Sequence, residues 1–150
     1  MTSAVPRFAP GDDPERAAYD ELCCYTFGLR DEAFIHQHVV DAFVVQRADA
    51  STKPIALVFG LVGLYLKVEQ GTTGSQVQGV HMALARRDRS WPAFTLPRER
   101  GALTAIDVMK APPGPERHRA IDAWCASVWA AFRQDELAVA ALKALLEKRN

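Results

Sequence analysis

Six polar or ionisable residues, His36, His38, Asp41, Gln46, Glu69 and His81, are set into the three most apolar segments of the sequence. Read as helix at about 100° per residue, His38 and Asp41 are three apart and share a face, the spacing that carboxylate–histidine sites use in helical bundles. An aspartate accepting from one imidazole nitrogen fixes the tautomer and leaves the other nitrogen to bind a metal or take a proton. His36 and His38 point about 200° apart and cannot ligate one ion without a break in the helix. His81 sits in the middle of a stripe made by Val77, Val80 and Leu84, and Glu69 lies one turn from the end of the most hydrophobic segment. If the helices that carry them pack together, His38 or His36, Asp41, Glu69 and His81 converge. Two histidines and one or two carboxylates suit Zn²⁺, Mn²⁺ or Fe²⁺, with positions left open for water or substrate.

In that reading His38, Asp41, Glu69 and His81 are metal ligands or catalytic groups, and His36 and Gln46 are polar groups of the pocket. Two other readings fit the same residues. One is a metal-free pocket between helices 2, 3 and 4 in which Asp41, Gln46 and His81 orient a small molecule. The other is structural, with each polar group bonded to a backbone carbonyl or a neighbouring side chain: Asp41 to His38 or an arginine, Glu69 to Lys67 or Arg86. A different class again is an interaction module that forms a homodimer through an apolar helix face.

The elements that must position these groups are all helical. Asp13 as N-cap and Pro14 at the first position start helix 1, whose apolar residues Tyr19, Leu22, Cys23 and Phe27 recur at helical spacing to a stop at Gly28. Helix 2 is expected from Asp31 to about Arg47, apolar nearly all round and therefore buried. Helix 3 begins at Pro54 and ends at Gly71; Gly60 and Gly63 within it point to a close helix–helix approach. Thr73 and Gln76 have capping-box spacing for helix 4, which runs to about Arg87. Residues 88–103 form a long irregular segment, and Thr104 with Asp107 opens a short helix 5 that Pro112-Pro113-Gly114-Pro115 ends. Helix 6 presents Ile121, Trp124, Val128, Ala131 and Phe132 on one face. Asp135 is the expected N-cap of helix 7, although a single helix running through it is also compatible with the sequence. The fold class is thus an all-α single-domain bundle of six to seven helices over residues 14–150, with helices 2 and 3 at its centre and residues 1–13 as a flexible arm.

Bulk properties narrow the partners. The 150 residues carry 18 Lys plus Arg against 18 Asp plus Glu, so no net charge draws the chain to nucleic acid or to an anionic membrane. The longest apolar run, Ile55 to Leu66, falls short of the roughly 18 to 20 residues of a span. Cys23, Cys24 and Cys125 form no disulfide framework and no zinc spacing, and the first residues lack the apolar core of a signal peptide; a reducing, cytoplasmic setting is expected. Cys125 reads as a buried thiol, and His118 as a surface partner of Asp122 four residues on. The arginines of Arg86-Arg-Asp-Arg89 and Arg98-Glu-Arg100, with Trp91 and Phe94 between them, are able to grip an anion or stack a base, whereas overall neutrality favours a solvated charged loop. There is no phosphate-binding glycine loop, nucleophile elbow or His-Glu-x-x-His.

Val40-Asp41-Ala42-Phe43-Val44-Val45-Gln46, Gly63-Leu64-Tyr65-Leu66 followed by Glu69, Trp91-Pro92, Asp107-Val108 and Trp124-x-x-Ser127-Val128-Trp129 occur in the order of a known pattern. Over residues 19–133 the chain resembles a family of uncharacterised bacterial proteins of unknown function. Arg47-Ala48 departs from the His-Pro that follows the glutamine there, and the family's extra N-terminal cysteines are missing. The resemblance implies a helical domain and singles out Asp41, Gln46 and Glu69, but implies no reaction. In architecture and inward histidines alone the chain is also similar to the metal-binding DinB-like four-helix proteins.

Overall fold

A computed structural model describes residues 13–87 and 90–148. They form seven helices: α1 (Pro14–Leu29), α2 (His36–Gln46), α3 (Pro54–Gln70), α4 (Gly74–Arg87), α5 (Ala105–Lys110), α6 (Pro115–Phe132) and α7 (Glu136–Glu147). No strand occurs among the described residues. The arm expected over residues 1–13 lies, but for Asp13, outside them, as do Asp88 and Arg89.

Local chemistry sets most helix ends. The Asp13 carboxylate accepts from Arg16 N at 3.1 Å, and Pro14 follows it at the first helical position. Thr73 and Gln76 close a reciprocal capping box on α4, with bonds of 3.2 and 3.1 Å, and Thr104 with Asp107 does the same for α5. Asp135 accepts from Leu137 N and Ala138 N, both at 3.1 Å, so α6 and α7 are separate helices. Gly71 ends α3 in the left-handed region, at φ 68°.

Two boundaries differ from the sequence expectation. α1 passes through Gly28, and Arg30 takes the left-handed cap, at φ 48°. α2 begins at His36, not Asp31. Phe34 has φ 52°, which breaks helical geometry there, and the turn before it is docked on the start of α4. Ser75 N donates to Ala33 O at 3.0 Å and Ser75 Oγ donates to Glu32 O, so two carbonyls that a longer α2 would use are taken. The tertiary contact overrides the local propensity.

α3 is the central helix, buried from Leu57 to Tyr65 apart from half-buried Phe59. α2 lies on its glycine face: a Cβ at Gly60 would stand 2.5 Å from Val45 Cγ2, and one at Gly63 only 1.9 Å from Asp41 Oδ2. α6 closes the core from the other side with Ile121, Trp124, Cys125, Val128, Trp129 and Phe132 all buried. α7 adds Leu142 and Leu145. Among the described residues no helix is long and apolar enough to cross a membrane.

Candidate functional site

The six polar residues picked out by their placement are held in separate environments. His36 is buried, and its Nδ1 lies 2.9 Å from Thr26 Oγ1. The threonine hydroxyl is within reach of the Leu22 and Cys23 carbonyls, at 3.1 and 3.3 Å, so it donates there and His36 Nδ1 donates to it. His81 Nε2 donates to Phe59 O at 2.7 Å while its ring stacks on Phe59 at 4.7 Å. Burial pushes both imidazoles below the usual histidine value.

Gln46 uses its whole amide: Oε1 accepts from Trp124 Nε1 at 2.9 Å, and Nε2 donates to Leu103 O at 2.7 Å and Arg100 O at 3.2 Å. Glu69 does not meet the other five. Its Oε2 accepts from Trp129 Nε1 and from Arg133 Nε, both at 2.7 Å, not from Lys67 or Arg86. These donors hold its carboxyl below the usual carboxylate value although partial burial pushes the other way.

His38 and Asp41 share the face that their spacing implies, yet no hydrogen bond joins them. Asp41 Oδ1 accepts from Gln37 Nε2 at 3.0 Å; Oδ2 lies against Gly63. Among the described residues Asp41 Oδ2, His38 Nδ1 and Ser127 Oγ are the buried side-chain polar atoms without a hydrogen-bond partner. Burial is the main cause that lifts the Asp41 carboxyl well above the usual carboxylate range, against the hydrogen bond from Gln37, which lowers it. Burial, helped by the nearby Lys67 ammonium, pushes His38 down to about 4. Lys67 itself pairs with Asp122 at 2.8 Å. Cys125 is fully buried as a thiol, pushed up to about 12 by burial, with Sγ 3.7 Å from His38 O.

The convergence of His38, Asp41, Glu69 and His81 expected for a metal is therefore not what the fold builds. Among the described residues no group of three His, Cys, Asp or Glu side chains is placed to hold a metal ion. His118, expected beside Asp122, instead has Nε2 2.8 Å from Tyr25 Oη, which also accepts from Gly114 N at 3.0 Å.

A surface cleft of about 410 Å³ opens where the first turn of α1, the end of α2 and the segment before α5 meet. Glu15, Gln46, Arg47, Ala48, Arg98, Arg100, Gly101 and Thr104 line it. Of the six residues, Gln46 alone reaches it, and its bonds to Arg100 O and Leu103 O fix the wall opposite α2. Gly101 lets that wall lie close to α6: its φ is 96°, and a Cβ there would stand 2.2 Å from Ser127 Oγ. Arg100 donates from Nε to Pro97 O at 2.9 Å and from Nη1 to Gln46 O at 3.2 Å and to Ala48 O. The sequence offers three signals for this place: the arginines of Arg98-Glu-Arg100, able to grip an anion though read in favour of a solvated loop, Gln46 as a polar group of a pocket, and the length of the irregular segment; that Gln46 and Arg100 meet, 54 positions apart, had no signal.

A family model described as a family of unknown function, DUF5946, matches residues 16–133. The chain belongs to this family. No curated protein and no solved structure is significantly similar to the chain. The DUF5946 stretch contains both tryptophan bonds, the Asp41–Gly63 contact and every residue lining the cleft except Glu15. The three polar residues of the ordered pattern thus divide their work: Gln46 and Glu69 each accept from an indole of α6, and Asp41 fills the notch at Gly63.

Proposed function

We propose that this DUF5946 domain binds a polar small molecule in the cleft between the first turn of α1, the end of α2 and residues 98–104, and that half-buried Gln46 and Arg100 keep that cleft in shape. The cleft itself carries the reading. Its volume of about 410 Å³ falls in the usual range of small-molecule sites, and its lining is dominated by side chains that donate hydrogen bonds. Gln46 and Arg100 support the reading as positioning residues, because each ties the end of α2 to the opposite wall through backbone carbonyls. Exposed Glu69 and buried His81 have partners already and line no part of this cleft.

A thermal-shift screen of polar metabolites tests the reading, run on the full chain and on Arg98→Ala. Arg98 is exposed and makes no described hydrogen bond, so its removal leaves the fold intact. A ligand at about 100 times its Kd adds roughly 2.7 kcal/mol, or roughly 5–10 °C in Tm for a chain of this size. The expected result is a compound that raises Tm in the wild type and does so less in Arg98→Ala. Compounds that stabilise both proteins equally, or a screen with no stabilising compound, would remove the cleft as the site.

A further inference from the structure

We propose that the ligand of this cleft carries a doubly charged oxyanion, as a phosphomonoester or a dicarboxylate does, and that Glu15 competes with it from within the chain. The inference rests on the cleft being the binding site and adds the chemistry of the occupant. Among the described residues three arginines line the cavity, Arg47, Arg98 and Arg100, against one carboxylate residue, Glu15.

The three are not equivalent. Arg47 is neutralised internally: Nη1 donates to Glu15 Oε2 and to Asp13 Oδ1, each at 3.2 Å, and Nη2 pairs with Asp13 Oδ2. Its guanidinium also lies 5.4 Å over the Phe43 ring, which holds it in place. Among the described residues Arg100 has only carbonyl partners. Nε and Nη1 are used on Pro97, Gln46 and Ala48, and Nη2 makes no hydrogen bond among the described residues. Burial pushes its pKa below the usual arginine value, the mark of a partly desolvated cation with no carboxylate bonded to it, although the more distant Asp49 pushes the other way. Arg98 makes no hydrogen bond or ion pair among the described residues. Among the described residues two of the three cations are therefore bonded to no carboxylate.

Guanidinium forks match the paired oxygens of carboxylate and phosphate, and such charge-assisted bonds are the strong ones. The obvious opposing effect is the end of α2, where the helix dipole places negative potential. Arg100 already covers that end by binding the Gln46 and Ala48 carbonyls, so its field falls on the protein and not on a ligand. The cavity is also larger than a bare phosphate needs, which leaves room for an organic body. Glu15 is the carboxylate that reaches the cavity, and Asp13 sits behind it on Arg47. Ion pairs as exposed as these are weak enough to be displaced.

The test is an amide- and arginine-resolved NMR titration of the full chain with inorganic phosphate and, separately, with succinate, each against sodium chloride at equal ionic strength. Saturable shifts at residues 98–104 are expected with at least one oxyanion; which of the two binds more tightly distinguishes phosphate from dicarboxylate chemistry. Glu15→Gln is expected to tighten binding about twofold to fivefold, the scale of an exposed ion pair. Arg98→Ala should weaken it roughly tenfold or more. No saturable shift with either oxyanion, while an uncharged metabolite shifts the same resonances, overturns the oxyanion and leaves the cleft standing as a site. No shift with any compound overturns both. Tightening absent in Glu15→Gln, with oxyanion binding present, removes the internal competitor.

Discussion

Asp41 and Gly63 form a contact whose cost is readable atom by atom. An alanine at position 63 gains about 1 kcal/mol of helix propensity over glycine. Its Cβ, however, would stand 1.9 Å from Asp41 Oδ2 and 2.6 Å from Cγ, and Asp41 is buried between helices with nowhere to move. Overpacking of this kind costs typically 1–3 kcal/mol and sometimes more, so Gly63→Ala should destabilise the domain by about 2 kcal/mol net. Chemical denaturation of Gly63→Ala alone and combined with Asp41→Ala measures this: the double variant should lose clearly less than the sum of the singles, because truncating Asp41 removes the clashing atoms. Strict additivity would mean that the two residues do not touch. Asp41 also makes a pH signature. Its folded pKa is raised, so its contribution is intact below the unfolded value of 3.8 and is lost as pH rises from there through the folded value. His38 acts oppositely, since its folded value of about 4 lies below the unfolded 6.5 and its neutral burial costs stability as pH falls through that window. The difference between wild type and Asp41→Asn isolates the first effect: as pH rises from the unfolded value of 3.8 to neutrality, it should shift in favour of the variant. A difference that stays flat over that span would show Asp41 ionised in the folded protein.

At the scale of elements, α6 is fastened to its neighbours by its two indole N–H groups, one to Gln46 at the end of α2 and one to Glu69 near the end of α3. Gln46→Ala strands the Trp124 indole in the core and frees residues 100–103. Leaving a buried donor unpaired costs about 1–3 kcal/mol, and a loss of about 2 kcal/mol is expected, with faster amide hydrogen exchange confined first to residues 100–104. Unchanged exchange there would deny Gln46 its role in fixing the wall of the cleft. This explains how much of the molecule was legible in the sequence. The helices and most of their ends were, because Asp13, Gly71, the Thr73–Gln76 and Thr104–Asp107 boxes and Asp135 act through neighbours three or four residues away. The start of α2 was not, because Ser75 binds the carbonyls of residues 32 and 33 across a tertiary contact. Gln46, Glu69 and Asp41 were recognisable as unusual in apolar segments; the partners of Gln46 and Glu69 were not, since Trp124 and Trp129 lie 78 and 60 positions away. Spacing along one helix offers Asp41 both His38, three residues back, and Gln37, four back; packing of α2 on α3 turns its other oxygen against Gly63.

At the scale of the molecule, most of the polar residues singled out in the DUF5946 stretch are bonded across helix interfaces, with Asp41 Oδ2 and His38 Nδ1 buried without a partner among the described residues, and the proposed binding capacity is at the surface. Inside, Gln46 and Glu69 are matched to indoles across helix interfaces, which helps specify how α2, α3 and α6 meet; outside, Arg98 and Arg100 line a cavity and are bonded to no carboxylate among the described residues. A domain arranged this way should tolerate conservative replacement of Glu69 by glutamine, which still accepts from Trp129 Nε1 and loses only the exposed pair with Arg133, at a cost of about 0.5–1 kcal/mol and with no loss of ligand binding. The division between scaffold and cleft is most directly tested by amide-shift mapping with whichever compound gives the largest thermal stabilisation. The account requires the perturbed resonances to centre on Arg47 and residues 98–104, and shifts centred on His38, Asp41 and His81, with the cleft silent, would contradict it.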